Sequence, residues 1–160
     1  MIRFNFWGWD KKKRTKLRFI KPGDIFCFKL DEDKYCFGRI ISKIMTGHVA
    51  EIFNLTASEP IITDGQILES KRLMDPIVLD SYTLFDRQIE QDADWRIIGH
   101  QENYIPTNIE DVFFTYGVEC SCKKVDVFGN EVSITEEEAK KIPELSPLRN
   151  VHIAKLVKAK

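Results

Sequence analysis

Three histidines (His48, His100, His152) and four cysteines (Cys27, Cys36, Cys120, Cys122) are the side chains best suited to serve as base, nucleophile or metal ligand. None sits in a catalytic pattern. A nucleophile needs a base within reach and a third group to orient that base. The chain has no Gly-x-Ser-x-Gly elbow, Walker loop or dinucleotide-binding glycine pattern. Cys120-x-Cys122 supplies at most half of a tetrahedral zinc site, and Cys27, Cys36 or a histidine would have to complete it. Small buried structural thiols are the better reading. His48 opens a strand-like segment and reads as a surface or capping residue. The expectation is a protein that is not an enzyme, with no catalytic, cofactor-binding or metal-ligating residues.

Carboxylates gather at Asp31-Glu32-Asp33, at Glu90 to Asp94 (including Asp92 and Asp94), and at Glu136-Glu137-Glu138. None has the glycine and spacing of an EF-hand loop. The third cluster also suits a helix N-terminus. Their collective meaning is electrostatic. Residues 1–20 hold seven Lys/Arg and one Asp, about +6, against a whole-chain charge of −1, so the remainder carries about −7. An acidic body is steered toward a basic partner. These eight residues, Asp31, Glu32, Asp33, Asp92, Asp94, Glu136, Glu137 and Glu138, are therefore the candidate partner contacts. The competing reading is a nucleic-acid-binding arm formed by Trp7, Trp9 and Lys11 to Arg18, since lysines neutralise phosphates and indoles stack on bases. The slightly negative total charge speaks against it and favours a charged surface loop.

The elements that position these groups are mostly strands. Lys21 to Ile44 reads as a β-hairpin, the pair to which the rest of the chain adds. Pro22-Gly23-Asp24 is turn chemistry. Ile25 and Cys27 then alternate with Phe26, Phe28 and Leu30, Asp31 to Lys34 turns, and Tyr35 to Ile44 returns, with Gly38 as a bulge or close-approach point. Cys27 and Cys36 fall at possible cross-strand positions. Phe4 and Phe6 suit a short edge strand before the basic lead-in. Further strands are expected at Gly47 to Leu55, Ile77 to Phe85, Trp95 to Gly99, Ile109 to Tyr116 and Val118 to Lys124. Gly129-Asn130 would close a hairpin between Val125 to Phe128 and Glu131 to Ile134.

Helix signals are few. Gln66 to Met74 has a weak helical period. Thr135 and Glu138 form a capping box for a helix over Glu136 to Ile142, limited by Pro143. Ser146-Pro147 starts a last helix with Leu148, Val151, Ala154 and Val157 on one face, for which a terminal strand is the rival. The fold expected is α+β: one strand-dominated domain over residues 1–160, largely antiparallel sheet or partial barrel, with one or two short helices near the C-terminus. Within it, 1–20 is the basic lead-in, 21–134 the strand-rich body and 135–160 the C-terminal helical segment. Its core would include Phe26, Phe28, Ile40, Phe53, Trp95, Ile97 and Phe113. No apolar window is long enough to span a membrane and no signal peptide precedes the cysteines, so a cytoplasmic protein with reduced thiols is expected.

Three stretches together carry a resemblance: Gly23-Asp24 opening a hydrophobic strand, the return strand Tyr35-Cys36-Phe37-Gly38, and Trp95-Arg96-Ile97-Ile98-Gly99. The chain over Lys21 to Phe114 resembles immunity protein family 26 of bacterial polymorphic toxin systems, including contact-dependent growth inhibition. The resemblance implies a small cytoplasmic protein that binds the C-terminal domain of one cognate toxin, often a nuclease, and neutralises it without catalysis. It implies no cofactor and no membrane or nucleic-acid partner. The basic lead-in and the last forty-odd residues lie outside the resemblance, where they would be free to carry partner specificity.

Overall fold

A computed structural model describes residues 2–160. Its main element is a six-stranded antiparallel sheet built from β1 (Phe4–Phe6), β2 (Asp24–Asp31), β3 (Lys34–Ile44), β4 (Gly47–Ala57), β5 (Ile77–Leu79) and β6 (Trp95–Gln101). The spatial order is β1-β6-β2-β3-β4-β5, so β6 returns from the second half of the chain to lie between the N-terminal strand and the central hairpin. The sheet is open, with β1 and β5 at its edges. A small sheet follows, of β7 (Phe114–Tyr116), β8 (Lys123–Val125) and β9 (Glu131–Ser133), also antiparallel. Helices are short: α1 (Asp64–Glu69), α2 (Glu136–Ala139) and α3 (Asn150–Lys158). The strand-dominated α+β class and its C-terminal helices are as the sequence indicates.

Both faces of the large sheet are covered, which explains why β2 is apolar at nearly every position rather than at alternate ones. One face carries Phe26, Phe28, Cys36, Ile40, Ile52, Trp95 and Ile97 beneath Leu84, Phe85 and the α3 residues Ile153 and Val157. The other carries Ile25, Cys27, Phe37, Phe53 and Ile98 beneath Ile62, Ile67, Phe4 and Trp9. A third cluster joins Ile41, Ile44, Val49 and Val78 to Phe114, Val125 and Val127 of the small sheet. Trp95 is fully buried and lies flat on Phe28, ring centroids 4.0 Å apart and planes within 3°.

Gly38 is the close-approach point that its place in the strand suggests. A Cβ there would collide with the Phe26 ring and the Glu51 carbonyl. The β3–β4 register also shifts between Cys36 and Gly38. Gly99 admits the Phe6 ring of β1 in the same way.

Several expectations are corrected. Only Ile77–Leu79 of the expected Ile77 to Phe85 strand is extended. Tyr82–Arg87 instead forms a wide helical turn, started by the Asp80 carboxylate accepting from the Thr83 N–H at 3.1 Å. That turn lets Leu84 and Phe85 drop onto the sheet face. The helix near Gln66 lies earlier, at Asp64–Glu69. Thr63 caps it, its hydroxyl accepting from the Gln66 N–H while the Gln66 side chain accepts from the Thr63 N–H.

In the second half, Ile109 to Tyr116 is strand only at Phe114–Tyr116, since the Val112 N–H donates to the Ile109 carbonyl at 3.1 Å and closes a turn, and Val118 to Lys124 is strand only from Lys123, where Glu119 adopts positive φ before it. The buried aromatic there is Phe114, and Phe113 is half-buried under Lys124. A hairpin does close around Gly129-Asn130, pairing β8 with β9, but its first strand is Lys123–Val125 rather than Val125 to Phe128, and residues 126–130 form the turn. The expected Glu136 to Ile142 helix stops at Ala139.

The last helix is a helix and not a strand, but it begins at Asn150. Leu148 is held extended beside β5, its N–H donating to the Val78 carbonyl at 2.8 Å and its carbonyl accepting from Asp80 at 2.9 Å. The buried face is therefore Ile153 and Val157, and Val151 is exposed.

Cys27 and Cys36 are buried and free, yet not paired across the hairpin. Cys27 faces Phe37 and Phe28 faces Cys36, so the two thiols lie on opposite faces. Burial pushes the Cys36 thiol up to about 11 and Cys27 further.

Candidate functional site

The first two acidic clusters meet at one end of the sheet. Asp31 ends β2 and Lys34 starts β3, leaving Glu32-Asp33 as the exposed turn. The Lys29 N–H donates to the Asp94 carbonyl at 3.1 Å, which brings the segment before β6 beside the same turn. Asp92 is exposed. Asp94 is not a free charge. Its carboxylate is held by Arg96 through two contacts of 2.8 and 3.1 Å, and that guanidinium stacks on Trp9 at 4.1 Å.

Glu136, Glu137 and Glu138 lie elsewhere, exposed on the first turn of α2, where the Thr135 hydroxyl accepts from the Glu138 N–H at 3.2 Å. Strand β3 separates the two places. Its Lys34 end carries the first clusters, and its Ile44 end abuts the small sheet to which α2 is tied. Eleven strand residues span about 35 Å. The structure thus brings together Asp31, Glu32, Asp33, Asp92 and Asp94 and leaves Glu136 to Glu138 apart.

The indoles of the basic lead-in are committed to packing. Trp7 Nε1–H donates to the Ile97 carbonyl at 2.9 Å, and Trp9 sits edge-on to Tyr35 at 5.3 Å. Residues 13–17 are tied to the helical turn at 82–88. The Thr15 N–H donates to the Phe85 carbonyl, the Leu17 N–H to the Asp86 carboxylate and Arg14 Nε to the Asp86 carbonyl. The lysines are exposed, Lys12 lying 5.2 Å from the Trp7 ring centroid, and these contacts leave both indoles half-buried.

Three polar groupings escaped sequence reasoning. The largest is on the sheet face beside Phe53. Glu51 accepts from Arg39 Nε at 3.0 Å and from Arg72 Nε at 2.9 Å, and Tyr104 donates to it at 3.4 Å. Arg72 also donates to the Thr107 and Asn108 carbonyls. Burial first, and the nearby Glu51 charge second, push the Tyr104 hydroxyl up to about 12. This network anchors the 102–108 segment to the sheet and offers no nucleophile. Its signal was the hairpin itself, since Arg39 and Glu51 nearly mirror each other across the Met45-Thr46 turn. The bulge between Ile40 and Ser42 completes the match.

Asp24 and His100 face each other across β2 and β6, Oδ1 to Nδ1 at 2.9 Å. Burial raises the Asp24 carboxyl, and the Lys21 N–H and the Lys21 and His100 charges pull against it. Among the described residues no hydroxyl or thiol is hydrogen-bonded to His100, so the pair holds the sheet rather than forming a relay. His48 is corrected outright. It is fully buried, with Nδ1 2.7 Å from Ser81 Oγ, because β5 and the 80–87 turn close over β4. Cys120 is exposed and Cys122 buried, so the two do not form one ligand pair. Among the described residues no three His, Cys, Asp or Glu side chains converge as metal ligands.

A groove of about 620 Å³ lies between the β3–β4 turn and the small sheet, lined mainly by apolar side chains. This groove is apolar surface open to another molecule.

A family model described as Immunity protein 26 matches residues 21–126, about two-thirds of the chain. The chain belongs to the Immunity protein 26 family. The match runs past Phe114 through β7 and β8, so the small sheet is largely within the shared region, while β1, β9, α2 and α3 lie outside it. None of the curated proteins matches. None of the solved structures matches. Membership of the Immunity protein 26 family gives the protein a toxin-neutralising role with a toxin protein as partner.

Proposed function

We propose that this protein binds the C-terminal domain of one cognate toxin in the bacterial cytoplasm and neutralises it by direct contact. The toxin belongs to a polymorphic system of the contact-dependent growth inhibition type, and its C-terminal domain is a nuclease. The observation that carries the reading is the family match over residues 21–126. Charge supports the nuclease assignment. A nuclease needs a basic cleft for phosphates, and a body of about −7 outside the first twenty residues attracts such a cleft. Inhibition covers the active site or the substrate surface. The contacts proposed are Asp31, Glu32, Asp33, Asp92, Asp94 and Glu136 to Glu138. Among the described residues, no helix is long and apolar enough to cross a membrane.

The test is co-expression with the C-terminal domain of the neighbouring toxin gene's product, scored for capture of the complex and for rescue of growth. Capture with rescue is expected. Neither, with an active toxin present, would overturn the reading. Nuclease activity is checked separately by incubating the released toxin domain with DNA and RNA, and an intact substrate in both would remove that part alone.

A further inference from the structure

The groove between the β3–β4 turn and the small sheet has features that folding does not require. Its lining includes Ile44, Met45, Tyr116, Val125, Phe128 and Leu145. Met45 stands 95% exposed at the tip of a two-residue turn, where polar residues are the rule, and Phe128 is 61% exposed. Met45 gains almost no burial from the fold, and most of Phe128 stays exposed. Phe128 is nevertheless held in place. The Asp126 carboxylate accepts from the backbone N–H of Phe128 at 2.8 Å, from that of Asn130 at 2.9 Å and from the Asn130 side chain at 3.0 Å. A turn stiffened in this way presents its aromatic ring at little further entropic cost on binding.

The surroundings are acidic. Residues 110–144 hold nine carboxylates against four lysines, a net −5. Glu131 lies in the groove wall, accepts from the Tyr116 hydroxyl and pairs with Lys123 at 3.9 Å, and Lys43 is the one cation in the lining. Tyr116 and Leu145 also line the adjoining depression, which contains Glu119, Glu136 and Glu144. The second apolar groove of the surface, beside Trp7 and Ile61, is lined by Asp10, Lys11 and Glu59 and adjoins the basic lead-in.

We propose that the groove between the β3–β4 turn and the small sheet is the anchor of the toxin interface, seating an apolar side chain of a basic toxin surface whose lysines and arginines meet the carboxylates around it. This rests on the immunity reading above and adds the face that binds. A second copy of the chain is the poorer occupant, because two acidic rims would be opposed. Of the contacts proposed above, Glu136 to Glu138 flank the anchor, whereas Asp31, Glu32, Asp33, Asp92 and Asp94, about one strand length away, change from direct contacts to groups that act by long-range attraction.

The experiment uses the full chain and the catalytically inactivated C-terminal domain of the neighbouring toxin. The double variant M45A/F128A changes two exposed side chains, so its thermal midpoint should match that of the parent. Its affinity for the toxin domain should fall by about 30-fold or more, chiefly through faster dissociation. The variant D31K/D33K should slow association and leave dissociation nearly unchanged. Amide exchange in the complex should show protection at 43–47 and 126–131 and none at 31–34. Affinity of M45A/F128A within about threefold of the parent, or protection confined to other segments, would overturn the proposal while leaving the immunity reading intact. Loss of self-association in M45A/F128A with unchanged toxin binding would also overturn it. If the unmodified chain neither captures the toxin nor rescues growth, the immunity reading itself falls.

Discussion

The indole N–H of Trp95, on β6, donates to the side-chain carbonyl of Asn150, the first residue of α3, at 2.9 Å. This bond joins the strand that carries the Trp-x-Ile-Ile-Gly segment to a helix outside the family-matched region. The Glu90 carboxylate caps the same helix, accepting from the N–H groups of Asn150 at 2.7 Å and Val151 at 3.1 Å. The C-terminal helix is therefore part of the core cover, not an appendage. Asn150→Ala leaves a buried donor unpaired and should cost about 1–3 kcal/mol. Truncation after Arg149 should prevent cooperative folding, because it also uncovers the face closed by Ile153 and Val157. Urea titration followed by Trp fluorescence checks both, and an unchanged midpoint in the truncated chain would refute the role given to α3.

Trp95 should be among the most costly single truncations. Its ring packs on Phe28, with Phe26 at 5.4 Å and Phe85 at 5.8 Å. Trp95→Ala is expected to destabilise by about 3–5 kcal/mol and Trp95→Phe by less. Chemical denaturation of the purified variants measures it.

Gly38→Ala should destabilise although alanine is small. The added methyl has nowhere to go between the Phe26 ring and the Glu51 carbonyl, and overpacking of this kind costs about 1–3 kcal/mol. Gly65→Ala is the comparison: that position is exposed and meets only the Thr63 hydroxyl, 3.9 Å away. Equal thermal midpoints for the two variants would contradict the close approach.

Glu51 is the single acceptor between two guanidiniums, and its side chain is only 7% exposed. Glu51→Gln leaves Arg39 and Arg72 facing each other without a counter-charge and should cost about 3–5 kcal/mol. Arg72→Lys is milder in charge but cannot reproduce the fork that reaches Glu51, Thr107 and Asn108 together. Limited proteolysis should cleave the 102–108 segment of both variants faster than that of the parent. Equal cleavage rates would show that the network does not hold it.

His48 makes stability depend on pH. Burial holds its imidazole down to about 4, the nearby Ile20 backbone opposes this, and the Lys43 charge adds to it. The unfolded chain protonates this ring near its ordinary value of about 6.5. The neutral form is thus favoured by folding, and its contribution is complete above about pH 6.5. It declines as pH falls and is gone below about pH 4, a change of roughly 3 kcal/mol. Asp24, raised by burial, acts in the opposite sense as it protonates. Stability measured from pH 7 to pH 4 should fall more steeply in the parent than in His48→Gln. Parallel curves would remove His48 as the cause.

Much of this protein is legible in local sequence. The hairpin of Asp24–Asp31 and Lys34–Ile44, the Trp95 strand, the Gly129-Asn130 turn and the capped turn at Thr135 all rest on period, turn chemistry or capping, which act within a few residues. The charge contrast between the first twenty residues and the rest is equally a property of the chain alone. What tertiary structure decided was pairing and cover. Insertion of β6 between β1 and β2 puts Asp24 beside His100. The folding of residues 80–87 as a turn turned His48 from a surface residue into a buried one. Leu148 was taken into the edge of the sheet, so the last helix starts at Asn150. A one-residue offset in β3 placed Arg39 opposite Glu51, and another in β2, between Lys29 and Asp31, put Cys27 and Cys36 on opposite faces. Each depends on which distant segment occupies a sheet edge or face. Period and composition show that a face is apolar, whereas the partner that buries it is selected by packing between segments far apart in sequence.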